Sequence, residues 1–76
     1  MGEETEIDLH GVKHQDVNKI INSFIWEHMK KKSTEIKIIT GNSETMKNLV
    51  REILMDYEFL VEDSFFNSAT LIVKLK

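Results

Sequence analysis

Ile7-Asp8-Leu9-His10-Gly11 is the stretch whose reading decides the fold. Apolar and polar residues alternate, which is the period of a strand with one buried face. Ile7 and Leu9 then point to the core, and Asp8 and His10 share the opposite face. Gly11 follows, and glycine lets the backbone turn away with no Cβ penalty. The residues Thr5–Leu9 are therefore expected to form a strand that ends in a turn. A carboxylate and an imidazole two residues apart at that end have the makings of a general acid/base pair. Such pairs also occur as ordinary solvated side chains, so spacing alone leaves both readings open.

Working outward, the apolar residues after Gly11 are Val17, Ile20, Ile21, Phe24, Ile25 and Met29. Their three- and four-residue steps predict an amphipathic helix from about His14 to Lys31. The Lys30-Lys31-Lys32 run suits the negative end of its dipole. Trp26 falls off the stripe and is expected to flank the core. Glu35–Ile39 is isoleucine-rich and reads as a central strand with both faces at least partly covered. Thr40-Gly41-Asn42-Ser43 is a turn, with Ser43 as N-cap and Glu44 in the first helical position. Met46, Leu49, Val50, Ile53, Leu54 and Tyr57 give a second helical stripe. Phe59–Phe66 and Ala69–Leu75 read as strands joined by a tight turn at Asn67-Ser68.

The order is β-α-β-α-β-β, an α/β (α+β two-layer) sandwich: a mixed sheet with both helices on one face. Residues 1–4 are expected to be a frayed tail and residues 5–76 a single domain, since 76 residues leave no room for a second core. A strand-helix-strand unit makes its two strands parallel. His10-Gly11 and Thr40-Gly41-Asn42-Ser43 then sit at the same sheet edge. Ligands bind beyond the carboxyl ends of strands in such sheets, and both loops lead into helix N-termini, which favour anions.

The chain has no cysteine, which removes disulfides and thiolate zinc sites and fits a reducing compartment. The acidic start MGEETE is unlike a signal peptide, and no apolar run is long enough to cross a bilayer. A cytoplasmic protein with no membrane partner is expected. The net charge of −3 argues against a general affinity for nucleic acid. Its distribution argues the other way, because residues 8–51 hold eight of the ten basic residues against five acids, and all three histidines. A basic middle permits a local phosphate-binding surface.

These features together resemble the small MutS-related (Smr) domain family. The resemblance rests on Ile-Asp-Leu-His-Gly, the amphipathic helix after it, and Ile-Ile-Thr-Gly before a second helix. It runs from about Glu6 to Leu75. Asn42 and Ser43 stand where the family pattern has a basic residue and a second glycine. Lys47 falls near a position that is often arginine, and Asn67-Ser68 replaces a glycine-rich turn. The resemblance implies a fold like the C-terminal domain of a bacterial translation initiation factor. It also implies nucleic-acid binding, with endonuclease activity on DNA or RNA in several members. On that basis Asp8 and His10 are the candidate catalytic residues. Gly11, Lys13, Thr40, Gly41, Asn42, Lys47 and Arg51 are the candidate nucleic-acid contacts. No cofactor and no metal ligand are expected, with a divalent metal ion left open, and the domain is expected to be a monomer. Three readings stay open: an endonuclease, a non-catalytic nucleic-acid-binding module using the same surface, and a protein-interaction domain in which Asp8 and His10 are structural.

Overall fold

A computed structural model describes residues 5–64 and 69–75 of the chain. Six elements follow in the expected order: β1 (Glu6–Asp8), α1 (His14–Lys30), β2 (Glu35–Ile39), α2 (Glu44–Met55), β3 (Leu60–Asp63) and β4 (Thr70–Lys74). The predicted Asn67-Ser68 turn, Phe65-Phe66 and the tail 1–4 lie outside the described residues. The first strand is shorter than Thr5–Leu9, although the Leu9 N–H still donates to the Ile39 carbonyl at 2.8 Å.

The sheet order is β1-β2-β4-β3. β1 pairs parallel with β2, and β4 is antiparallel to both β2 and β3. β1, β2 and β3 therefore point the same way. Their carboxyl ends share one edge with the start of β4, so three loops meet there.

Register shows which face is covered. Ile7, Ile38 and Leu71 lie in one row and Ile36, Val73 and Val61 in the next. This face meets Val17, Ile21 and Ile25 of α1 and Met46, Val50, Ile53 and Leu54 of α2 in one core. The opposite face carries Glu6, Lys37, Ile72 and Glu62 in one cross-strand row and has no helix over it among the described residues. β2 is central but covered on one side only: Ile36 and Ile38 are buried while Lys37 between them is exposed. Its isoleucine content had suggested cover on both sides, yet Ile39 only half-buries itself on the open face.

α1 departs from its predicted stripe in three places. Phe24 and Ile20 sit at the margin of the core, half-buried. Met29 is exposed, and Trp26 is 61% exposed and does not flank the core. The place expected for Met29 is taken by His28, which is 1% exposed. Its ring packs on Phe24 with centroids 4.5 Å apart, and its Nδ1 bonds the Ser33 hydroxyl at 3.0 Å. Val17, Ile21, Ile25 and His28 follow four-, four- and three-residue steps, a cleaner helical line than one ending at Met29.

The helix ends are built differently. α1 has Lys13 at its N-cap, with no side-chain cap. It closes with a pair of bonds, Lys32 N–H to the Met29 carbonyl and Ser33 N–H to the His28 carbonyl. That pattern needs a left-handed residue after the cap, and Lys32 supplies it at φ 61°. α2 starts at Ser43, as expected, whose hydroxyl accepts the Met46 N–H at 3.1 Å. Asn22 and Tyr57 join α1 to the end of α2 by a side-chain hydrogen bond.

Candidate nucleic-acid interface

The first loop is a turn clamped from both sides. The Val12 N–H donates to the Leu9 carbonyl at 3.0 Å, so Leu9 to Val12 form a β-turn. Its third residue, Gly11, has φ 84°, which a type II turn requires and glycine adopts freely. Asp8 Oδ1 accepts the His10 backbone N–H at 2.9 Å, fixing the turn where it leaves the strand. Leu9 is fully buried and anchors the loop. His10 occupies the outer corner and is exposed. In the acid/base reading Asp8 and His10 act as a pair of side chains; the bond present runs from Asp8 to the histidine's backbone, as in the reading that makes them structural. The physical reason is local, because an aspartate before a turn reaches an amide two residues on more easily than a ring projecting into solvent.

The second loop is held by the third. The Thr40 and Gly41 N–H groups both donate to the Ala69 carbonyl, at 2.8 and 3.1 Å. The Thr40 hydroxyl lies 2.9 Å from the Gly41 carbonyl and 3.2 Å from the Ala69 carbonyl. Thr40 is 3% exposed, so it braces the turn and is not open to a ligand. Gly41 has φ 73°. A Cβ at this position would stand 3.6 Å from Cδ2 of His10. The two loops, thirty residues apart in sequence, therefore meet at His10 and Gly41. Asn42 and Ser43 follow on the exposed side of the turn.

The amides facing solvent here belong to α2. Ser43 takes the Met46 N–H, while helix geometry leaves the N–H groups of Glu44 and Thr45 without an intrahelical partner. Lys47 lies in the next part of that turn. It is only 9% exposed, and its ammonium has no ion-pair partner among the described residues. No buried side-chain nitrogen or oxygen lacks a hydrogen bond among the described residues, so the lysine stem is packed while its head reaches the surface. Lys13 is exposed at the start of α1.

Arg51 is arranged differently from the expectation. Its guanidinium pairs with Asp63 at the end of β3, at 2.7 Å. Asp63 is on the helix-covered face of the sheet, opposite Leu71, which brings it within reach of α2. Arg51 is thus committed to a carboxylate. Gly11 has nothing within 4 Å of a Cβ position and serves the turn.

The joined loops stand at the rim of the sheet. Two surface concavities of about 480 Å³ lie elsewhere, one between β1 and α1 along Ile7, Ile20 and Phe24, the other on the open sheet face along Lys37, Ile39 and Ile72. Among the described residues no three histidine, aspartate or glutamate side chains come together as metal ligands, and no helix is long and apolar enough to cross a membrane. Sequence reasoning missed the Ala69 carbonyl, which ties the third loop to the second. It also missed the Arg51–Asp63 pair, and no local signal links those two residues.

No curated protein and no solved structure matches the chain. A family model does match, over residues 7–73, from the first strand through β4 and across both meeting loops. With nearly its whole length matched, and with Asp8, His10 and Gly41 at the joined loop ends, the chain belongs to the Smr domain family.

Proposed function

We propose that the loop edge binds the phosphodiester backbone of nucleic acid and that His10 transfers a proton there during its cleavage. The observation that carries this reading is the approach of the His10 ring to the Gly41 turn, 3.6 Å from the Cβ position. It sets an imidazole against the loop that leads into α2, whose first turn has free amides and carries Lys47. The family is one of nucleic-acid-binding and nuclease-like modules in general, which supports the same class of ligand. An exposed sheet edge suits an extended polymer better than a small molecule, which is usually enclosed in a pocket.

The roles follow from reach. The Glu44 and Thr45 N–H groups and the Lys47 and Lys13 ammonium groups hold a phosphate and offset the charge that grows on it. Neutral His10 takes the proton from the attacking oxygen, a water or a neighbouring 2′-hydroxyl. A new P–O bond forms, the bond to the leaving oxygen breaks, and the leaving oxygen takes a proton from solvent. Asp8 is a positioning residue that holds the backbone of His10 at the corner.

The test combines binding and cleavage. A labelled oligonucleotide should bind with an affinity that falls steeply with salt, as counterions are released from phosphates. His10→Ala should abolish cleavage and leave binding within a few-fold. Cleavage at the wild-type rate by purified His10→Ala would remove the catalytic role. No binding at low salt would remove the interface.

A further inference from the structure

We propose that the outer face of α1 is a track for single-stranded nucleic acid, leading away from the loop edge to a base-stacking platform at Trp26. The proposal rests on the reading that the loop edge holds the phosphate backbone. Lys19, Ser23, Trp26 and Lys30 follow one another by four, three and four residues and are all exposed. That spacing makes one continuous stripe on a helix, and it lies opposite the buried line of Val17, Ile21, Ile25 and His28. Trp26 stands between two lysines with most of its ring in solvent.

Lys32, exposed just past the end of α1, adds a cation two residues after Lys30. It occupies the left-handed position that closes α1, where glycine would be the unstrained choice. Strain of this kind at a surface residue is a pointer to function when the side chain it retains has a use. The acids nearby do not cancel the stripe. Glu27 is held by Lys31 at 3.4 Å, and Asp16 lies in the first turn of α1, where the helix dipole favours it.

Direction and length fit a polymer. α1 begins at His14, directly after the first loop, so the helix leads away from the candidate interface, with Lys13 at its start and Lys19 the first residue of the stripe. Trp26 is twelve residues along α1, about 18 Å at 1.5 Å per residue. A stacked strand rises about 3.4 Å per nucleotide, so about five nucleotides span from the loop edge to the indole. Cations spaced along a path, with an aromatic face among them, are how proteins hold single strands without reading sequence. A duplex keeps its bases paired and offers none to the indole.

Trp26 is the only tryptophan, so its fluorescence reports on this position alone. A twelve-nucleotide oligo-dT or oligo-U is titrated into the protein, with affinity measured in parallel by anisotropy. Quenching that saturates with the anisotropy signal is expected, and a duplex of equal length should bind without it. Trp26→Ala should weaken the single strand by about five- to a hundredfold, and Trp26→Phe should restore most of the loss. The exposed position predicts an unchanged melting temperature for both variants, so lost binding would not reflect lost folding. Binding that depends on Lys13 and Lys47 but leaves the fluorescence and the Trp26→Ala affinity unchanged would overturn the track and spare the loop edge. No binding by either oligonucleotide would overturn both. Equal quenching by phosphatidylserine vesicles would overturn the track in favour of a lipid surface.

Discussion

Replacing Gly41 with alanine separates the backbone role of that residue from its place beside His10. At φ 73° an alanine enters the left-handed region, which costs about 1–2 kcal/mol. Alanine also restricts the unfolded chain, which returns roughly 0.4–1 kcal/mol. The added Cβ would meet His10 Cδ2 at 3.6 Å, an ordinary van der Waals contact, so no clash adds to the loss. A net destabilisation of about 1 kcal/mol follows, or a fall in melting temperature of roughly 4–8 °C for a domain of this size. Gly11→Ala is the matched control: it has φ 84° and nothing within 4 Å of its Cβ, and it should lose the same stability. Binding is where Gly41→Ala should stand out. Its methyl group would occupy the gap between the imidazole and the turn, where a phosphate would meet both. Affinity should then fall a few-fold, no further than on removal of the imidazole itself, which corresponds to about 1 kcal/mol or less. If the methyl acts through His10, it should have no further effect on binding in a His10→Ala background. Thermal melts by circular dichroism and oligonucleotide anisotropy read the two quantities. The same loss in both backgrounds would show that Gly41 and His10 do not share a ligand, and the reasoning would fail.

Three further outcomes test separate parts of the molecule. Lys32→Gly should stabilise the fold by about 0.5–1 kcal/mol in urea titration, because glycine relieves the left-handed strain, while single-strand affinity falls. Lys47→Ala should reduce the slope of log affinity against log salt by about one, and an unchanged slope would place its ammonium away from phosphate. Glu35 and Lys74 bond across β2 and β4 at 2.7 Å, and the ammonium holds the Glu35 carboxyl below its usual range while the carboxylate holds Lys74 above its own. Glu35's part is present above the unfolded carboxylate value and is lost as pH falls through the lowered folded one. Lys74's part is present below the ordinary lysine value and is lost as pH rises through the raised one. Glu35→Gln should therefore flatten both limbs of the urea midpoint against pH, slightly, because the pair is solvent-exposed.

Element order was readable because each element carries its own local code. The Ser43 cap, the glycine turns and the amphipathic periods of the two helices all act within a few residues, and the structure contains the cap, the turns and both helices, with the buried line of α1 shifted to end on His28. The meeting of the first two loops was readable too, because a parallel strand pair with a helix between leaves little choice of edge. What sequence spacing misjudged was set by distant partners or by small angles. Met29 and His28 are neighbours on the helix, and apolarity favoured the methionine. The deciding factor was that Ser33, beyond the helix end, supplies a partner for the imidazole and makes its burial tolerable. Arg51 looked free because Asp63 is twelve residues away, and only the β3–β4 register places that carboxylate on the helix-covered face.

Pairing changes what the charge count means. The chain is acidic overall, and a count along the sequence assigns its basic middle to a phosphate surface without distinction. In the fold, Arg51, Lys31 and Lys74 each lie against a carboxylate. Lys13 and Lys47 have no such partner among the described residues, and they flank the joined loops. Lys19 and Lys30 are likewise without one, and they lie along one helix stripe. Lys32, just past the end of α1, has none either, and Lys37 stands apart on the open sheet face, so most of the unpaired cations among the described residues lie at the loop edge or along α1. A phosphate gains more from a cation with no carboxylate to surrender than from one already neutralised, because breaking an existing pair offsets the new contact. On the proposed reading, an acidic protein with most of its unpaired cations at one edge and along one helix would have a directional affinity for a polyanion. Raising salt would then weaken the productive contact and the general repulsion together. The salt slope should accordingly report the few phosphates held by Lys13, Lys47 and the α1 stripe, not the net charge.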